Sequence, residues 1–219
     1  MLFSSLTFLI WFLPTVLIVH TLLPQRWRNA FLLCASVFFY AWGEIRYVPL
    51  VLLSMTLNYF FGLQVGSGKR GKRKFWLVVS VLFNFGALVC YKYAGFLMDV
   101  LGLGAWAPVV VMPLGISFYT FQTQGYVVDV FRGKVPPEKN AINLMTFILL
   151  FPQLIAGPIV LYTDVAKELK VRPFLPEYFE KGMGQFIMGL AAKVLLANSL
   201  GALTEQVTLR AASSAPALW

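Results

Sequence analysis

The 219-residue chain is 59% hydrophobic and only 12% charged, with 20 phenylalanines and a mean hydropathy of +0.75. Soluble globular domains approach a quarter charged residues, so this composition excludes an ordinary soluble domain and assigns the chain to a lipid bilayer. The net charge of +9 does not point to nucleic acid, because the largest basic cluster lies between apolar runs, where topology and anionic headgroups account for it.

Residues 1–25, 29–43, 47–68, 75–91, 100–128 and 140–163 contain no Asp, Glu, Lys or Arg, and several reach the roughly 20 residues that a spanning helix needs. Spans are expected near 6–23, 29–43, 47–65, 75–91, 113–130, 142–160 and 184–203, which makes the chain an all-α, polytopic membrane protein with one transmembrane domain. The opening stretch has no basic residue before its apolar run and no small-x-small site before Gln25, so it is expected to remain as an anchor rather than be cleaved. Arg26 and Arg28 follow it, and positive-inside bias places them in the cytoplasm and the N-terminus outside. The stretch "GSGKRGKRK" (66–74) is a second basic, cytoplasmic marker. The two agree if 29–43 crosses outward, Glu44 to Arg46 turns, and 47–65 returns.

Cys34 and Cys90 fall inside apolar runs without CxxC spacing, so both are expected to be small buried side chains, and no metal site is visible. His20, the one histidine, lies near the end of the first span, where it can reach the interface.

The stretch "PLGISFYTFQTQGYVVDVFRG" (113–133) concentrates polar groups. At 100° per residue, Gly115, Tyr119, Gln122, Tyr126 and Asp129 share a sector of about 80°, while Ser117, Thr120 and Gln124 share about 60° on the far side. Lipid satisfies neither face, and an unpartnered amide or hydroxyl in hydrocarbon costs on the order of several kcal/mol, so other helices or a wet cavity must enclose this helix. Interhelical hydrogen bonding alone is one reading. The other makes Tyr119, Gln122, Tyr126, Asp129 and Gln153 the lining of a cavity or tunnel, with Asp129 and Arg132 fixing the helix end. No catalytic step is assigned to any of them. In "FILLFPQLIAGPIVLY" (147–162), Pro152, Gly157 and Pro158 are expected to break a helix at depth and leave backbone groups that only protein or water can cover. Residues 164–182 carry four basic and four acidic residues and are expected at a membrane surface. Lys193 is the one charge in 186–203, where a lone lysine usually snorkels or pairs.

The segments "MPLGISFYTFQTQGYVVDVFRG" (112–133) and "FPQLIAGPIV" (151–160), with "MLFSSLTFLIWFLP" at the start and "FFYAWGE" at 38–44, resemble the membrane-bound O-acyltransferase family, in particular its alginate O-acetyltransferase-like branch. The resemblance implies tilted helices around a tunnel. Through it an acyl group, commonly acetyl, passes from a cytoplasmic donor such as an acyl-CoA or acyl carrier to hydroxyls of a cell-envelope polysaccharide, with no bound cofactor. It further implies a bacterial-type inner membrane, envelope acetyltransfer proteins as partners, and an intramembrane histidine as base. That histidine belongs to a later region in relatives roughly twice as long. The chain is therefore expected to be an amino-terminal half, inert without its carboxyl-terminal half. A transporter or flippase component and a non-catalytic membrane scaffold are the alternatives.

Overall fold

A backbone immersed in hydrocarbon has no water to bond, so a charge-free run closes its own hydrogen bonds as helix. A computed structural model describes residues 3–102, 112–154, 159–172 and 176–214, and every regular element among them is helical. The chain forms two compact units, one of residues 15–172 and one of residues 2–14 with 173–219.

In the larger unit, the latter part of α1 (Leu13–Leu22) leads into α2 (Gln25–Glu44). A 3-10 turn at Ile45–Tyr47 reverses the chain into α3 (Val48–Ser67), and α4 (Arg70–Lys92) and the short α5 (Ala94–Val100) follow. The polar stretch forms α6 (Ile116–Arg132). Then come three short pieces, α7 (Ala141–Leu149), α8 (Phe151–Leu154) and α9 (Tyr162–Val165). Two helical runs of this unit, Gln25–Ser67 and Arg70–Lys92, are long and apolar enough to cross a membrane, and Pro176–Thr208 of the smaller unit is a third.

Beside an apolar core, the packing buries many polar side chains and leaves large apolar ones exposed. Asn58, Ser80, Asn84, Thr120, Gln122, Thr123 and Gln124 are buried, while Phe38, Trp42, Leu53, Phe75 and Leu82 are exposed. Such a surface is stable only against lipid, so this is a membrane protein. Cys34 and Cys90 correct the expectation of burial, since both are exposed free thiols. They lie near Phe38 and Val89 on outward faces of α2 and α4. A thiol behaves as a small hydrophobe and is compatible with such a face.

Arg73 ties three helix ends together. Its Nε donates to the Val65 carbonyl at 2.8 Å and its Nη2 to the Phe131 carbonyl at 2.7 Å, and the guanidinium lies over the Phe131 ring. The end of α3, the start of α4 and the end of α6 therefore meet at one basic end. α6 stops there in a Schellman arrangement, with Gly133 at φ +75°, its N–H on the Val130 carbonyl, and the Lys134 N–H on the Asp129 carbonyl at 3.0 Å. At the opposite end, Glu44 accepts the Leu114 N–H at 2.8 Å, and Gly115 takes φ +74° to start α6. A Cβ at Gly115 would stand 2.8 Å from the Leu154 carbonyl oxygen, so both conformation and space demand glycine.

The segment expected as a span near 142–160 holds two short helices, and the first of them and the chain that follows them meet one residue. The Asn29 amide donates to Asn143 Oδ1 at 2.8 Å and to the Leu169 carbonyl at 2.7 Å. Gln25 and Arg28 add bonds to the Lys170 and Arg172 carbonyls at 3.1 and 3.0 Å. Residues 141–172 thus leave and rejoin the start of α2, at the basic end.

The smaller unit contains a π-helical turn at Thr7–Phe12, where Phe8 is buried between the rings of Phe3 and Phe12, at 5.2 and 5.7 Å. It also holds α10 (Pro176–Ala191), a π-helical turn at Ala192–Ala197 and α11 (Asn198–Ser214). Lys193 borders a cavity of about 220 Å³ with Phe3 and Gln185.

Candidate functional site at an interrupted helix

α7 ends because Leu150 turns to ψ +116°, away from the helical range. The turn separates a carbonyl and an amide that an unbroken helix would join, those of Phe147 and Phe151. Both groups find side chains. The Phe151 N–H donates to Ser36 Oγ on α2 at 3.2 Å, and the Phe147 carbonyl accepts from Gln122 Nε2 on α6 at 3.1 Å and from Gln153 Nε2. Pro152 stands in the first turn of α8, where its missing N–H leaves nothing unmatched. The break comes at Leu150, just before Pro152, while Gly157 and Pro158 lie outside the described residues.

The remaining candidates on α6 have separate environments. Tyr119 is buried in the apolar core, and its carbonyl accepts the Thr123 hydroxyl. It lies within electrostatic reach of Glu44 and Tyr40. The Tyr40 hydroxyl, among the described residues, is the buried side-chain oxygen that has no hydrogen-bond partner. Tyr126 packs edge-on against Tyr162, with ring centroids 4.9 Å apart, and its hydroxyl accepts the Glu138 N–H at 2.9 Å. Gly62 permits this placement, because a Cβ there would fall 2.7 Å from Tyr126 Cε1. Asp129 pairs with Lys134 at 3.4 Å, at the helix end. Gln122 and Gln153 therefore converge on one carbonyl, while Tyr119, Tyr126 and Asp129 do not join them.

The far face of α6 closes a second constellation. Asn58 on α3 and Asn84 on α4 exchange amide hydrogen bonds of 2.9 and 2.7 Å, and Asn84 also donates to Gln124 Oε1 at 2.9 Å. Gln124 Nε2 reaches Ser80 Oγ at 3.4 Å. All four side chains are buried, so this junction is a buried polar joint between three helices. Sequence reasoning passed over Asn58, Ser80, Asn84, Glu138 and Tyr162. The signal for the two asparagines was present, because each is an amide inside a charge-free run.

Two cavities lie in this part of the larger unit, the first of them beside the break. One, of about 190 Å³, is bordered by Phe147, Leu150, Gln153, Glu168 and Arg172. Arg172 Nε donates to the Glu168 carbonyl at 2.8 Å, and its Nη1 lies 3.5 Å from His20 Nε2. His20 is thus occupied at a surface joint near the basic end. The second cavity, of about 360 Å³, is bordered by the 135–139 loop and by Tyr162, Ala166, Lys167 and Lys170. Glu138 is held there by the Asn140 N–H at 2.9 Å and by the Tyr162 hydroxyl at 2.6 Å. Burial, and then the bond to the Glu138 carboxylate, push the Tyr162 phenol above its ordinary range.

The chain is 37% identical over 215 residues to a probable alginate O-acetylase of Pseudomonas syringae pv. tomato, covering 94% of this chain and 42% of that protein. A probable alginate O-acetylase of Pseudomonas putida is also 37% identical over 94% of the chain and 44% of its own length. These relatives bear out the resemblance to the alginate O-acetyltransferase-like branch of the membrane-bound O-acyltransferase family. A third member of the comparison, a peptidoglycan O-acetyltransferase of Helicobacter pylori, is 28% identical over 91% of the chain and 45% of that protein. No family model and no solved structure matches. The chain spans a little over two fifths of the length of these curated relatives. Within that part, the chain places its buried amides on α3, α4 and α6 and its helix break between α7 and α8.

Proposed function

We propose that the chain forms part of an O-acyltransferase that moves an acyl group, most simply acetyl, onto hydroxyls of a cell-envelope polysaccharide. The observation that carries this is similarity along 94% of the chain to alginate O-acetylases. The more distant peptidoglycan O-acetyltransferase points to the same acceptor chemistry. In this reading the protein sits in a bacterial inner membrane with its N-terminus outside and its basic end in the cytoplasm. The donor, an acyl-CoA or acyl carrier, approaches the basic end, and the polysaccharide or an envelope acetyltransfer partner approaches the end that holds Glu44.

The residues on this chain serve positioning. Gln122 and Gln153 hold the helix break, and Tyr40 and Tyr119 pack in the core beside it. Attack by a sugar hydroxyl needs a base near neutral pH, and His20, shared with Arg172, is not placed for that task. In this reading the base is supplied from outside the part of the relatives that this chain matches. The test is acetyl release from the polysaccharide of cells expressing the chain alone, the rest of a full-length relative alone, or both. Acetylation is expected only with both together. Acetylation by the chain alone would refute the division of labour, and none with both would refute the activity.

A further inference from the structure

The cavity beside the 135–139 loop has a charge pattern that the acyl-transfer reading does not use. Lys139, Lys167 and Lys170 border it together with one acid, Glu138. Among the described residues these three lysines have no ion pair, whereas Lys134, outside the cavity, is paired with Asp129. The carboxylate of Glu138 is engaged by an N–H and an O–H rather than by a lysine. The cavity therefore carries an excess of about two positive charges, close to what balances a phosphomonoester at neutral pH.

The lysine backbones are fixed. The Lys139 carbonyl accepts the Tyr59 hydroxyl at 2.6 Å, the Lys170 carbonyl accepts Gln25 Nε2 at 3.1 Å, and the Lys167 carbonyl accepts the N–H groups of Lys170 and Val171. Pro136 and Pro137 stiffen the facing wall. At about 360 Å³ the space lies within the range of small-molecule sites. We infer that this cavity binds a phosphate-bearing group through Lys139, Lys167 and Lys170. Lysine suits that role as a mobile point charge. A soluble phosphoester and an anionic lipid headgroup share this chemistry, and the site exists whether or not the chain takes part in acyl transfer.

The experiment uses the full chain with two probes. Inorganic pyrophosphate is titrated calorimetrically into protein in neutral detergent. Retention of phosphatidylglycerol is counted by native mass spectrometry after release from nanodiscs of phosphatidylcholine with and without that lipid. Replacing the three cavity lysines by glutamine is expected to weaken whichever probe binds at least tenfold. A control with the same loss of charge, Lys69→Gln with Lys72→Gln and Lys74→Gln, is expected to stay within threefold. Glu138→Gln, which keeps the shape and removes the one negative charge, is expected to tighten binding and so tests the site even if the triple variant fails to fold. Pyrophosphate binding identifies a soluble phosphoester, and selective lipid retention identifies a headgroup. Equal loss in the control, no response to Glu138→Gln, or no binding of either probe overturns the proposal.

Discussion

Replacing Asn84 by leucine removes a side chain that donates two hydrogen bonds, at 2.7 and 2.9 Å, and accepts a third at 2.9 Å. Interhelical hydrogen bonds in membranes average about 0.6 kcal/mol each, so three amount to about 2 kcal/mol. The substitution also strands the amide oxygens of Asn58 and Gln124 at a buried junction, which adds at least about 1 kcal/mol. The expected loss is about 3 kcal/mol, roughly a hundredfold in the unfolding equilibrium. Reversible unfolding in mixed micelles, followed through the six tryptophans, measures it. The triple variant Asn58→Leu, Asn84→Leu, Gln124→Leu removes donors and acceptors together and is expected to be more stable than Asn84→Leu alone. A single variant within about 0.5 kcal/mol of the parent, or a triple variant less stable than the single one, would refute the view that these amides act as a unit.

Other perturbations probe the remaining joints by the same assay. Gln153→Leu alone is expected to cost little, because Gln122 still serves the Phe147 carbonyl, while the double change with Gln122→Leu is expected to cost about 1–3 kcal/mol more than the sum of the singles; simple additivity would contradict the shared carbonyl. Tyr162→Phe deletes the donor to the Glu138 carboxylate and is expected to cost about 1.5–3 kcal/mol, and an unchanged midpoint would show that bond to be idle. Gly62→Ala is expected to destabilise by about 1–3 kcal/mol, since the new methyl meets the buried Tyr126 ring. Cys34 and Cys90, exposed on outward helix faces, are expected to resist a charged maleimide in vesicles, because a thiol in hydrocarbon does not ionise, and to react after denaturation. Rapid labelling by the charged reagent would argue that those faces meet water.

The demand that α6 be enclosed on both faces was legible from the sequence, because the cost of an amide in hydrocarbon does not depend on which neighbour removes it. The identity of the neighbours was not legible. Asn84 and Gln124 are 40 positions apart, and nothing local to either one specifies which helix stands opposite. Pro152 marked the neighbourhood of the break, yet the turn itself is at Leu150, where the free amide meets Ser36 on a helix more than a hundred residues earlier. The cysteines were misread for a related reason. A helix in lipid is apolar on its outer face as well as its inner one, so hydrophobicity cannot tell which side of α2 or α4 is covered. Polar residues were the better guide to the interior.

The double grip of Asn29 on Asn143 and Leu169 has a consequence for biogenesis. Because both arms of the 141–172 hairpin start and finish beside the same helix end, Lys139 on one side and Lys167 and Lys170 on the other need never be dragged through the oily interior. Carrying a lysine to the bilayer centre costs about 3 kcal/mol even with the insertion machinery's help. The hairpin can instead slide in from the side where its lysines already reside, its polar kink matched by Gln122 and Ser36 on helices made earlier in the chain.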